Sequence, residues 1–133
     1  MNIMEYFQNK RYIKSKKESY EILDILNLEE EYIFYILSKK SNFYTVTINK
    51  NSKEISCDCP DSKDFCSNYN CMCKHSCFIL YYVLKVYKNL KYKENIKLLS
   101  SDKMDIISKN KLFISWIILL KIIQFRFMNK LLF

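Results

Sequence analysis

All six cysteines and the single histidine of this 133-residue chain lie between residues 57 and 77. They are Cys57, Cys59, Cys66, Cys71, Cys73, His75 and Cys77, with Pro60-Asp61 directly behind the first pair. Soft-metal ligands are therefore concentrated in one short window. Two close pairs, Cys57-x-Cys59 and Cys73-x-His75, are what a tetrahedral site needs, because each local turn delivers two donors and the loop between them lets the pairs meet. The spacing predicts one zinc ion held by Cys57, Cys59, Cys73 and His75.

The surroundings of each pair agree with that reading. Cys57 closes a predicted strand, and Pro60-Asp61 is a sensible stop where the chain turns away. Cys73 and His75 open a predicted helix, where free backbone N–H groups favour a thiolate over a thiol. Cys77 follows His75 by two on that helix and so points away from the imidazole. Cys66 and Cys71 fall in a polar stretch with Asn68, Tyr69 and Asn70; they are expected to be free thiols. A second zinc fails on counting, since Cys66, Cys71 and Cys77 alone do not close a tetrahedron.

A chain this short stabilises only a small core, so a metal cross-link would contribute to folding itself. The sequence has no Gly and a single Pro. Turns must then rely on Asn, Asp and Ser, and Gly-rich phosphate-binding loops are excluded. No basic segment followed by an apolar run marks the N-terminus as an export signal. The expectation is an intracellular protein, cytoplasmic or nuclear, whose cysteines are ligands or buried thiols rather than disulfides. Net charge is +8, and the excess lies in residues 78–133, with eleven basic and three acidic side chains. Residues 41–77, which include the cysteine window, hold four basic and four acidic side chains and are balanced.

Three regions are expected: an N-terminal helical segment (1–31), a central unit (32–108) and an apolar, basic tail (109–133). In the first, Ser15-Lys16-Lys17-Glu18 has the form of a capping box, followed by a stripe of Ile22, Leu23, Ile25 and Leu26 ending near Asn27. Tyr32–Leu37 and Phe43–Ile48 read as strands, and Glu54-Ile55-Ser56 leads a third into Cys57. Short turns between them predict an antiparallel meander. A helix carrying Phe78, Ile79, Tyr82, Val83, Val86 and Leu90 on one face should follow His75. A second is expected over Tyr92–Leu99, and Ser100-Ser101-Asp102 should cap a short third. Leu112–Phe127 is apolar but interrupted by Lys121 and Arg126, and is shorter than the roughly 20 residues that span a bilayer. No membrane partner is expected. The fold class is α+β: a zinc-stabilised three-stranded meander, then a helix, with flanking helices.

The order Cys57-x-Cys59 … Cys73-x-His75 resembles the SWIM-type zinc finger. The likeness extends to Asn42–Ile48 before the first pair, to Cys57-Asp58-Cys59-Pro60-Asp61, and to Cys73-Lys74-His75 followed by Phe78–Leu84. In these the chain resembles the SWIM domains of RING/SWIM ubiquitin-ligase proteins over roughly residues 32–108, Leu98–Ser101 included. The resemblance implies a ββα-like finger acting in protein interaction or self-association, with ubiquitin-pathway components as candidate partners. Two departures stand out. The loop between Cys59 and Cys73 is long and adds Cys66 and Cys71, which leaves an alternative ligand open, and the glycines common in the family's turns are missing. A RING needs roughly eight Cys or His ligands; this chain has seven and none after residue 77. Any role in ubiquitin transfer would thus be accessory.

Two other classes remain. Lys85, Lys88, Lys91, Lys93, Lys97 and Lys103 could contact a nucleic-acid backbone, with neighbouring tyrosines for stacking. Tyr81, Tyr82 and Tyr87 could equally serve a protein interface. An enzyme is not expected, because Cys3His coordination leaves a zinc ion no open position.

Overall fold

The computed structural model describes residues 3–86 and 96–110. Helix α1 (Ile3–Lys17) leads into a sheet of β1 (Tyr20–Asn27), β2 (Glu31–Ser38), β3 (Phe43–Asn49) and β4 (Ile55–Cys57). Short helices α2 (Pro60–Lys63), α3 (Phe65–Tyr69) and α4 (Lys74–Cys77) follow, then a π-helical segment (Phe78–Val83) and α5 (Ser101–Ser108). The α+β class is as expected, but the sheet has four strands in the order β1-β2-β3-β4.

The two central strands form for the reason their sequence advertises. Tyr32, Phe34 and Ile36 alternate on β2 and Val46 and Ile48 on β3, all buried, and the antiparallel register sets Phe34 opposite Val46 and Tyr32 opposite Ile48. Ile55 of β4 pairs with Ile48 and Cys57 with Val46, so the same face carries the first metal-ligand candidate. Against that face pack Ile79, Leu80, Leu84, Leu99 and Ile107.

The helix expected to open at Ser15 is overturned, although a helix does occupy the N-terminal segment as α1. Ser15-Lys16-Lys17-Glu18 ends a helix rather than starting one: the Glu18 N–H donates to the Lys14 carbonyl at 2.9 Å, and Ser15 Oγ donates to the Tyr12 carbonyl at 2.6 Å. Lys14, Lys16 and Lys17 occupy the last turn, where cations complement the helix dipole. The stripe assigned to a helix is β1, paired antiparallel with β2. A bulge between Ile22 and Asp24 inserts Leu23 into the ladder. That extra residue restores Ile25 to the core side three positions after Ile22, a spacing that mimics helical periodicity.

Beyond the cysteine window two further expectations change. The helix after His75 stops at Val83. Leu84 N–H reaches the Ile79 carbonyl at 2.9 Å, Val86 N–H the Leu80 carbonyl at 3.0 Å, and Lys85 adopts φ 55°. The wider winding buries Ile79, Leu80, Leu84 and Val86 in place of a continuous α-helical stripe. Leu90 and most of the expected second helix, residues 92–95, lie outside the described residues. Its described end is not helical: the Lys97 carbonyl accepts from Ile55 N–H at 3.0 Å, and Leu99 N–H donates to the Lys53 carbonyl at 2.7 Å. This segment borders β4, where backbone pairing outweighs local helix preference. Ser100 does cap α5, its side chain accepting from Lys103 N–H. Residues 111–133 of the tail lie outside the described residues.

Without glycine, four of the described residues carry left-handed backbone: Ser41, Lys53, Asn70 and Lys85, at φ 55–62°. Ser and Asn were anticipated in such places. The two lysines were not, and each costs about 1–2 kcal/mol against a right-handed conformation.

Candidate metal centre

Cys57, Cys59, Cys73 and His75 converge as the spacing predicts. Their donor atoms lie within 4.8 Å of one another, and all four residues are buried. Each pair is shaped by a chain reversal into a one-turn helix. After Cys57, Asp58 leaves the sheet by a reciprocal clamp on Thr45: its N–H donates to the Thr45 carbonyl at 3.2 Å and its carboxylate accepts from Thr45 N–H at 2.8 Å. Cys59 then caps α2, its Sγ accepting from Ser62 N–H at 3.3 Å with Pro60 behind it. Cys73 repeats the device on α4, accepting from Ser76 N–H at 3.4 Å. Backbone N–H donors thus face two of the three sulfurs, an arrangement suited to thiolates.

His75 presents Nδ1 to the cluster, 3.7 Å from Cys57 Sγ and 3.8 Å from Cys73 Sγ. A tetrahedral ion with metal–sulfur bonds of about 2.3 Å and a metal–nitrogen bond of about 2.0 Å would set these edges near 3.5 Å. The donors are therefore already spaced for an ion. The imidazole is fixed by Tyr44 of β3, stacked at 4.2 Å, and by the edge of Tyr20 at 5.3 Å. Without a cation the thiols share their protons unequally. Hydrogen bonds from Cys57 and Cys59 pull the Cys73 thiol well below its ordinary range, while its bonds to Cys59 and Cys73 push Cys57 up. Full ionisation of all three sulfurs calls for a bound cation.

No apolar periodicity signals what holds this window from the N-terminal side. Gln8 of α1 is buried and grips Met72, the residue before Cys73: Nε2 donates to its carbonyl at 3.1 Å, and Oε1 accepts from its N–H at 2.7 Å. The same Nε2 lies 3.3 Å from Cys77 Sγ. Arg11 makes a bidentate pair with Asp61, both contacts 2.8 Å, and its guanidinium lies 4.3 Å over Phe65. Lys74 Nζ pairs with the Glu18 carboxylate at 2.8 Å. Gln8, Arg11 and Ser15 recur at helical spacing. They are polar, so a search for apolar periodicity passes over them.

The three other cysteines lie outside this cluster, and all are fully buried: Cys66 sits on α3, Cys71 in the connection that follows it, and Cys77 on α4. The long insertion between the ligand pairs is folded into α2 and α3 rather than left open.

Beside the centre opens a cavity of about 340 Å3 that His75 helps to line, with Tyr20, Tyr44, Lys39, Lys40 and Lys74 around it. Of the lysines expected on a basic face, Lys103 is buried and Lys97 Nζ donates to the Cys66 carbonyl at 3.2 Å. Lys85 is exposed; Lys88, Lys91 and Lys93 lie outside the described residues, as does Tyr87. Tyr81 and Tyr82 pack on Tyr12 of α1 at ring separations of 5.6 and 6.1 Å. Among the described residues no helix is long and apolar enough to cross a membrane. No family model, curated protein or solved structure matches the chain.

Proposed function

We propose that this chain is a SWIM-type zinc module whose metal preorganises a protein-interaction surface. The observation that carries the reading is the buried cluster of three thiols and one imidazole, drawn from a strand end and a helix start. Thiolate and imidazole donors at tetrahedral spacing suit zinc over harder cations. Four protein donors close its shell, so the ion in this reading joins β4 to α4 and performs no reaction; bound there, it supplies a cross-link.

The path from metal to surface is short. His75 stacks on Tyr44, and the residue before it, Phe43, is exposed at the start of β3 (71 %). An exposed aromatic held on a rigid strand has the makings of an anchor for a protein partner. Ubiquitin-ligase assemblies are the partners the SWIM resemblance favours, with this chain as adaptor, competitor or self-associating unit. The nucleic-acid alternative draws less support, because two of its six lysines are engaged within the fold.

The test begins with metal content of the purified chain, expected at one zinc per chain. The loaded protein is then offered ubiquitin-pathway proteins and nucleic acid at two salt concentrations. Phe43→Asp should keep its zinc and lose the protein partner. Absence of zinc removes the reading. Binding of nucleic acid alone, falling steeply with salt and indifferent to Phe43→Asp, transfers it to the alternative.

A further inference from the structure

Cys66 and Cys71 have no part in the metal cluster, yet they touch. Their sulfurs are 3.5 Å apart, and the Cys71 N–H donates to the Cys66 carbonyl at 3.3 Å, closing the turn that contains left-handed Asn70. Backbone and side chains therefore already hold the two residues in the proximity a disulfide requires, with about 1.5 Å left for the sulfurs to close. We propose that Cys66 and Cys71 are a reversible thiol–disulfide pair, oxidised by a peroxide while the neighbouring metal centre stays assembled.

The surroundings favour this pair over the other cysteines. Cys66 S–H points to the Asp61 carboxylate at 3.4 Å, and Asp61 is itself held by Arg11. Asp61 and Arg11 line a cavity of about 360 Å3 on the side of α1, together with Phe65. A water-sized oxidant can enter there and needs only a small displacement of the five-residue α3 to reach sulfur. Cys57, Cys59 and Cys73, by contrast, would be committed to the metal, and Cys77 Sγ contacts the Gln8 amide.

The chemistry balances with hydrogen peroxide as oxidant. One sulfur attacks a peroxide oxygen; the O–O bond breaks, leaving a sulfenic acid and one water. The second sulfur then attacks the sulfenic sulfur, forms the S–S bond and expels a second water. Two electrons pass from the sulfurs to the peroxide, and both thiol protons end in water. A small dithiol returns the pair to its reduced form by exchange.

The full chain, reduced and loaded with zinc, is treated with a small excess of hydrogen peroxide, and mass and metal content are followed together. The expected product is lighter by about 2 Da, retains its zinc, and reverts with dithiothreitol. Chymotrypsin cuts after Tyr69, between the two cysteines, so the linked fragments identify the bond directly. Cys66→Ser and Cys71→Ser should each keep the zinc and form no disulfide, and the variant that retains the peroxide-reactive sulfur should hold it as a sulfenic acid that dimedone traps. The proposal fails if the loaded chain gives no such product, if zinc leaves first and the linkage includes Cys57, Cys59 or Cys73, or if Cys66 and Cys71 take up a second metal ion. Because metal content is read separately, a chain that forms the disulfide without ever holding zinc would sink the zinc reading alone.

Discussion

From β2 to β3 the molecule is held by a continuous antiparallel ladder over a dry apolar face, with Phe34, Ile36, Val46 and Ile48 wholly buried. From Asp58 to Cys77 it is held by almost the opposite means. There the helices are four or five residues long, too short to stand alone, and side chains do the joining: thiols capping backbone N–H groups, Gln8 on Met72, Arg11 on Asp61. One region is stabilised by area removed from water, which tolerates modest change in composition. The other depends on a few directional contacts and on whatever joins the four donors, so its stability should be conditional on metal.

That contrast can be broken experimentally. The largest effect is expected from metal removal, by chelation or by His75→Ala, since zinc binding in comparable small modules is worth on the order of 10–16 kcal/mol. Amide exchange should show protection lost across α2, α3 and α4 while β2 and β3 remain protected. Simultaneous loss in both regions would mean that the sheet and the window are one cooperative unit. Phe34→Ala attacks the other side, and should lower unfolding free energy by about 3–5 kcal/mol in denaturant titration. It should do so whether zinc is present or chelated; an effect seen only in the loaded protein would erase the distinction.

Gln8→Leu sharpens the comparison, because it alters neither the sheet nor a ligand. It strips the Met72 N–H and carbonyl of their buried partner, at a cost of about 1–3 kcal/mol, and should weaken zinc retention in a chelator competition. Unchanged retention would show that α1 merely covers the window. The smallest effect is expected at Leu23, the exposed bulge residue. Leu23→Thr should shift stability by no more than about 0.5 kcal/mol, and a large loss would place Leu23 in a packed interface instead.

Legibility in the sequence followed the same divide. Aromatic and β-branched composition identified Tyr32–Leu37 as a strand, and alternation identified Phe43–Ile48, because a half-buried sheet favours such side chains and imposes period two on its residues. β1 was misread, since one bulge residue turned the Ile22–Ile25 interval into a helical one. α1 went unseen because the residues it buries include Gln8, whose burial is stabilised by hydrogen bonds to Met72 far along the chain, and Ser15, whose hydroxyl is satisfied within the helix by the Tyr12 carbonyl. Lys97 and Lys103, expected on a basic face, were misread for a related reason: a charge count has no access to the carbonyl that takes up Lys97 or to the burial of Lys103.

Local chemistry on its own determined the donor set, the two paired turns that present it and the central strands, since each depends on residues within a few positions of one another. Tertiary structure alone decided that Gln8 would clamp Met72 across 64 positions, that Arg11 would meet Asp61 across 50, and that Cys66 and Cys71 would be sealed inside rather than displayed on a loop. The physical reason is that a hydrogen bond or an ion pair is specified by two groups at once, and sequence periodicity describes each group without its partner.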